Sequence, residues 1–241
     1  MLDNTEKFWE KSWIEHIDDY LNATPRAGIL IENYFKDVHS VLEIAGGSCR
    51  DSRYLANNGF GATGSDFDEK TLQYLQEERF PDERLNYSKE DAFNLTFQDN
   101  SFDLVFHNGF FVLFDENSSL NKMLKEQERV SRRYIVIFVH NIANKNLIKD
   151  FQEKSKNDDL YEIRFFDKNE IINIVEDSGI KYKSIKVIKF GGIFDRFYNK
   201  RLKKIIPNIF YPFRKSLIPK LYQLQKWENT ERVCCIVELD K

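Results

Sequence analysis

The sequence predicts an α/β fold built on a doubly wound, mostly parallel sheet with helices on both faces. Two observations carry that expectation. Short apolar runs recur along the middle of the chain, and helical patterns of about ten residues separate them, the rhythm of βαβ units. In addition, the first two runs end in an acid, Glu43 and Asp66. In such sheets a ligand sits beyond the carboxyl ends of the strands, at the point where strand order reverses. The 241 residues suit a single domain over 1–241, with a helical cap over 1–36 and an insertion over 191–227.

In chain order, residues 5–36 carry Phe8, Trp9, Trp13, Ile17, Tyr20 and Leu21 at near-helical spacing, one or two amphipathic helices with Pro25 between them. Val41–Ala45 is a short apolar run closed by Gly46 and Gly47, a buried strand and a turn. A helix over Arg50–Asn58, stopped by Gly59, leads to a second strand over Ala62–Ser65 and a second helix over Glu69–Glu78. Asn86–Ser88 is a weak third strand and Phe102–His107 a strong fourth. A helix over Ser118–Val130 precedes Tyr134–Val139, the most strand-like run in the chain. A helix over Lys168–Asp177, stopped by Gly179, a strand over Tyr182–Phe190 and a last strand over Arg232–Leu239 complete the pattern.

Composition narrows the function classes. The three cysteines, two of them adjacent, offer neither a disulfide framework nor a zinc-type pair, and no metal is expected. The charged N-terminus lacks the apolar run of a signal peptide, and no stretch approaches the ~20 apolar residues of a membrane span. A cytoplasmic location follows as the expectation. Residues 191–227 stand apart, with nine basic residues against the single acid Asp195. That segment carries a net +8 in a chain of −3, so the remainder carries −11 and would repel nucleic acid.

Two clusters are chemically suggestive by themselves. Val41-Leu-Glu-Ile-Ala-Gly-Gly-Ser-Cys-Arg-Asp51 is a strand, an acid and a small-residue turn, where backbone can approach a ligand closely or simply turn into a helix. Asp66 stands 23 residues after Glu43, where a carboxylate accepts ribose hydroxyls in dinucleotide-type folds. Asp68 suits the cap of the following helix. A nicotinamide dehydrogenase would share both clusters, but its third glycine would fall on Arg50, too bulky for close helix–strand packing.

A third cluster completes a pattern. Asp91-Ala92, Leu95-Thr-Phe97 and Ser101-Phe-Asp-Leu-Val105, taken with Glu43 and Asp66, resemble the class I S-adenosylmethionine-dependent methyltransferases over roughly residues 38–190. The resemblance implies a Rossmann-like sheet of seven strands and S-adenosyl-L-methionine as cofactor. It implies Glu43 near the methionine amino group, and the backbone of Ala45, Gly46 and Gly47 against the cofactor. Asp66 would take the ribose diol, and Phe67 would lie against the adenine. The Asp91 carboxylate would accept from the adenine amino group, and the Ala92 amide would donate to the ring. His107 and Asn108 would lie near the methionine and the reactive methyl. Two positions depart from the family. Its Gly-x-Gly-x-Gly loop reads Ala45, Gly47 and Cys49 here, and Ser131-Arg-Arg133 replaces a glycine pair before the fifth strand.

Transfer from a sulfonium requires alignment, exclusion of water and, for a protonated acceptor, removal of a proton. His107 and His140 follow the fourth and fifth strands, placed either as catalytic bases or as backbone-bonded strand ends. Asn108 and Asn141 beside them suit substrate binding or loop capping. The N-terminal aromatics either cover the site as a lid or pack on the sheet edge. The expected reaction is methyl transfer to an O or N atom of a small-molecule acceptor. The 191–227 insertion suits a substrate-capping subdomain with a solvated basic face; through its basic and aromatic residues it equally suits binding a phosphorylated substrate or an anionic membrane surface, which would make the protein peripheral to a membrane with a lipid acceptor. A non-catalytic binding scaffold is the reading from another class, disfavoured by the joint presence of Glu43, Asp66 and Asp91.

Overall fold

The computed structural model describes residues 8, 16–80, 84–198 and 213–241. Within them the elements run in order as helix α1 (16–22), α2 (Arg26–Tyr34), β1 (Ser40–Glu43), α3 (Arg50–Asn57), β2 (Gly61–Asp66), α4 (Glu69–Gln73) and β3 (Asn86–Lys89). Then come β4 (Phe102–Asn108), α5 (Asn117–Val130), β5 (Ser131–His140), α6 (Lys145–Lys154), α7 (Lys168–Asp177), β6 (Tyr182–Gly192), α8 (Arg214–Leu221) and β7 (Thr230–Leu239). Pro25 directly precedes α2, as its missing N–H permits at a helix start.

The strands form one seven-stranded sheet in the order β3-β2-β1-β4-β5-β7-β6. β1 to β5 are parallel, whereas β7 runs antiparallel to both β5 and β6. The order reverses between β1 and β4, which places the ligand-binding crevice at their carboxyl ends.

Period-two alternation along the central strands splits the core between the two faces. On β5, Val136 and Phe138 face a cluster with Leu30, Leu55 and Phe106. Ile135, Ile137 and Val139 face the opposite cluster with Leu124, Ile171 and Val175. The same alternation separates Cys234 from Cys235, one in each cluster, so the adjacent pair serves as two small apolar fillers.

The expected helix over Glu69–Glu78 is α4 continued by a π-helical turn, Tyr74–Arg79. Asp68 caps α4, accepting from Lys70 N at 3.1 Å. α6 was not expected from the sequence; Asn144 caps it by accepting from Leu147 N at 3.1 Å. Asp167 and Glu170 form a capping box on α7. β5 begins directly after α5, with Ser131-Arg-Arg133 as its first three residues. There Arg132 pairs with Asp103 at 2.8 Å and Arg133 with Asp37 at 2.5 Å, so ionic anchors hold a junction that glycines make in the family.

The 191–227 insertion contains a 3₁₀ turn at Ile193–Tyr198, then α8 and a second 3₁₀ turn at Tyr222–Leu224. Its basic residues Lys200, Arg201, Lys203 and Lys204 lie outside the described residues, as do Trp9 and Trp13. Among the described residues no helix is long and apolar enough to cross a membrane.

Candidate active site

At the carboxyl end of β1 the chain makes a loop in which Ala45, Gly47 and Cys49 have φ of +50°, +52° and +49°. These are the three positions at which the family places glycine. The left-handed conformation is therefore retained although two of the residues carry a Cβ, at a cost of roughly 1–2 kcal/mol each. Hydrogen bonds hold the loop in that shape. Gly46 N donates to Ser65 O at 2.8 Å, Gly47 N to Asp66 Oδ2 at 2.8 Å and Ser52 N to Glu43 Oε2 at 2.8 Å.

Glu43 and Asp66, at the ends of β1 and β2, are both buried. Burial, with the nearby Asp51 carboxylate, pushes the Glu43 carboxyl well above the usual range. Burial likewise raises Asp66 to about 6, although the amides of Asp68 and Gly47 oppose it. Asp51 goes the other way: burial opposes its ionisation, but the Arg50 guanidinium and the Gly28 amide outweigh it and hold the pKa low. Two buried carboxylates that resist ionisation are short of donors or positive charge, which a ribose diol and a cationic amino acid would supply.

These groups line a cavity of about 520 Å³ at the carboxyl end of the sheet. On the β1–β2 side the wall is Glu43, Ala45, Gly46, Ser48, Asp66 and Phe67. In the middle it is Asn108, Gly109 and Phe110, following β4. Beyond β5 it is His140, Phe151, Tyr161, Tyr198 and Arg232. Residues of α1, including His16 and Tyr20, line it as well, while Ile17 and Leu21 of the same helix pack into the core. His16 Nε2 meets Asp158 Oδ2 at 3.0 Å, and Arg50 Nη1 donates to Tyr20 O at 3.2 Å, tying α1 across the cavity.

The expected site residues therefore divide. Glu43, Ala45, Gly46, Asp66, Phe67, Asn108 and His140 share the cavity. Gly47 is buried behind it and orients Asp66 through its amide. Asp91 and Ala92 are not among the lining residues. Asp91 is exposed and spends its carboxylate on Phe93 N at 2.9 Å in a local turn. Ala92 packs on the apolar clusters beneath.

His107 corrects the sequence expectation most clearly. It points into the core, fully buried, with its ring 4.1 Å from that of Phe111 and neither nitrogen hydrogen-bonded. Burial lowers its pKa to about 3. The alternation of β4 explains the placement, since Asn108 takes the cavity side and its neighbour must face the other way. Asn141 turns out to be a structural anchor, donating to Trp227 O at 2.8 Å and Thr230 O at 3.0 Å.

His140, by contrast, opens onto the cavity with its ring 5.0 Å from that of Phe151. Burial and the nearby Arg232 charge hold its pKa well below the ordinary histidine value, so the imidazole is neutral. Sequence reasoning missed Arg26, Arg50, Asp51, Phe151, Tyr161 and Arg232. For Phe151 a signal existed, because Asn144 followed by Leu147, Ile148 and Phe151 is a capped helix with one apolar face.

Comparisons agree with this geometry. Residues 42–137 match the family model described as a methyltransferase domain. No curated protein matches the chain. An S-adenosylmethionine-dependent methyltransferase of Thermotoga maritima superposes with a TM-score of 0.65 at 14% identity, over 98% of this chain and 100% of its own. One from Archaeoglobus fulgidus gives 0.61 at 16%, over 94% and 99%. A phosphoethanolamine N-methyltransferase of Haemonchus contortus, in complex with phosphomonomethylethanolamine and S-adenosylhomocysteine, gives 0.51 at 17%, over 90% of this chain and 52% of its own. At such identities the structural likeness speaks to the fold, and the family match speaks to the domain. Residues 42–137 thus match a methyltransferase domain, and the chain shares the fold of S-adenosylmethionine-dependent methyltransferases.

Proposed function

We propose that the protein transfers the methyl group of S-adenosylmethionine to an O or N atom of a small-molecule acceptor held beside His140. The observation that carries this reading is one cavity with Glu43, Asp66 and Phe67 at one end and His140 at the other. The donor, when bound, supplies an electrophilic methyl on a sulfonium. The chain's part is to place it and the acceptor in line and to exclude water. Glu43 and Asp66 bind through carboxylates that favour hydrogen-bond donors and positive charge. Phe67 offers a ring to the adenine, and Asn108, its carboxamide tied to Asp51 and Arg232, lines the wall between donor and acceptor. His140 accepts a proton or hydrogen bond from the acceptor, and its neutrality keeps it ready at physiological pH. The α1 residues Tyr20 and His16 cover the cavity.

The test is calorimetric titration with S-adenosylmethionine, followed by detection of S-adenosylhomocysteine formed with a panel of amine and hydroxyl acceptors. Absence of donor binding by folded protein would refute the reading and leave a binding scaffold.

A second reading keeps the chemistry and changes the acceptor to a lipid at an anionic membrane surface. It is favoured by Phe213, Leu217 and Leu224, which are 64%, 40% and 77% exposed on the basic insertion. Phe213 caps α8, Leu217 lies within it and Leu224 ends the 3₁₀ turn that follows, with Lys220 among them. Co-sedimentation with phosphatidylserine vesicles, compared with phosphatidylcholine vesicles, separates the two readings. A phosphorylated small molecule reaching the cavity past the same insertion would give no vesicle binding.

A further inference from the structure

Along the cavity wall between Glu43 and His140 three arginines meet three carboxylates, and the pairing is uneven. Arg26 binds both oxygens of Glu231 at 2.7 Å and also takes Asp195. Arg50 takes Asp51 at 2.9 Å. Glu231, the carboxylate beside Arg232, is thus engaged mainly by Arg26. Arg232 retains a neutral partner, Asn108 Oδ1, at 2.5 Å, and one longer contact from Nε to Glu231 Oε1 at 3.3 Å. Its Nη2 has no partner among the described residues, and the side chain lines the cavity.

The fold aims this group inward. Arg232 pairs directly with His140 across the antiparallel β5–β7 ladder, so the two side chains leave the same face of the sheet, about 5 Å apart at Cβ. Asn108, itself held by Asp51 at 3.1 Å, braces the guanidinium above Gly109. Tyr20, Phe151 and Tyr161 supply rings along the adjoining wall. A partly buried guanidinium without a full counter-ion is costly, and an anion seated on it lowers that cost. Burial and the neighbouring Arg26 charge already push the Arg232 pKa down against the pull of Glu231. His140 cannot serve as the seat because it is neutral, and Arg26 cannot because both its amino groups are taken.

We propose that Arg232 is the seat for an anionic group, a carboxylate or a phosphate, on the methyl acceptor, which fixes that molecule beside His140. The substrate class is then a small anionic molecule. The assignment to the acceptor rests on the methyltransferase reading, whereas the anion site itself does not.

Phenyl phosphate, benzoate and neutral benzyl alcohol are suitable probes, titrated into the protein with and without saturating S-adenosylhomocysteine. The wild type is expected to bind one or both anions about tenfold or more tightly than benzyl alcohol. The stronger of the two identifies the group as phosphate or carboxylate. Arg232→Gln is expected to erase that discrimination while S-adenosylhomocysteine affinity changes by no more than about threefold, which also reports that the variant is folded. Should Arg232→Gln not fold, Arg232→Lys carries the comparison: it keeps the charge but loses the two-pronged geometry, so the preference for anions shrinks without vanishing. Equal binding of charged and neutral probes by the wild type overturns the proposal. So does undiminished anion binding in Arg232→Gln. A loss of S-adenosylhomocysteine affinity as large as the loss for the anions also overturns it, since Arg232 would then hold the donor's own carboxylate. Failure of the wild type to bind S-adenosylhomocysteine sinks the methyltransferase reading instead, and leaves the probe titrations without it to decide the anion site.

Discussion

Replacing Asp66 by asparagine separates two consequences of burying a carboxylate at the cavity wall. Burial raises its pKa from 3.8 to about 6 in the folded chain. The folded state therefore binds the proton more tightly than the unfolded chain. The stability this group contributes is fully present below pH 3.8 and is lost as pH rises through about 6. That difference in proton affinity amounts to about 3 kcal/mol. The asparagine variant has no group to titrate here, so the wild type should lose about 3 kcal/mol relative to it between roughly pH 3.5 and 6.5. A separate, pH-independent offset comes from the hydrogen bonds. The carboxamide oxygen can accept from Gly47 N or from Asp68 N, which lie at 2.8 and 3.1 Å from the native carboxylate, but its NH₂ confronts the other amide. That conflict costs about 1–3 kcal/mol.

Chemical denaturation of both proteins at half-unit pH intervals reads the difference directly, and the other titrating groups cancel in it. A difference curve flat to within about 0.5 kcal/mol would refute the account of Asp66 as a buried, reluctantly ionised acid. Calorimetry supplies the second half. If the ionised carboxylate accepts from the donor's ribose hydroxyls, losing charge-assisted bonds of about 1.5–3 kcal/mol weakens binding roughly 10- to 100-fold. Wild-type donor affinity should also fall as pH drops below about 6, where Asp66 must first give up its proton, and the variant should show no such dependence.

His140→Gln is expected to lower turnover by about 10²–10⁴ with donor affinity unchanged if the imidazole takes the acceptor's proton, measured as S-adenosylhomocysteine release under donor saturation. His107→Phe should leave donor binding intact. Its folded pKa of about 3 lies below the ordinary 6.5, so the wild type loses stability as pH falls below 6.5, and it should lose about 2 kcal/mol relative to the variant between about pH 7.5 and 5 in denaturation. Ala45→Gly should gain up to about 1–2 kcal/mol by removing a Cβ at φ +50°, read from the denaturation midpoint. Gly28→Ala should cost about 1–3 kcal/mol in the same assay, because its Cβ would stand 2.8 Å from Asp51 O where α2 crosses α3.

The donor end of the site was far more legible in the sequence than the acceptor end, and the reason is locality. Glu43, the small-residue turn and Asp66 lie at strand ends that period and punctuation reveal, and their chemistry depends on the two parallel strands β1 and β2 side by side. Even there one local feature escaped the sequence: Asp91, where the family has an adenine contact, also accepts from Phe93 N in the turn it begins. His107 shows the limit of reading a strand end: which of two adjacent residues faces the crevice is a question of strand phase, and a one-residue step reverses the answer.

The acceptor end is assembled from residues far apart in sequence. Arg26 on α2 reaches Glu231 on β7 across 205 residues, and Arg232 reaches Asn108 across 124. No local pattern encodes that Glu231 gives both its oxygens to Arg26, yet this leaves Arg232 with an unbalanced charge. The antiparallel insertion of β7 between β5 and β6 creates the arrangement, because only a strand entering from the crevice end brings its first residues beside the last residue of β5. In a wholly parallel sheet the last residue of β7 would stand there instead, and the residue opposite His140 would come from near Leu239 rather than from Arg232. The chemistry available to an acceptor thus depends on strand direction as much as on residue type.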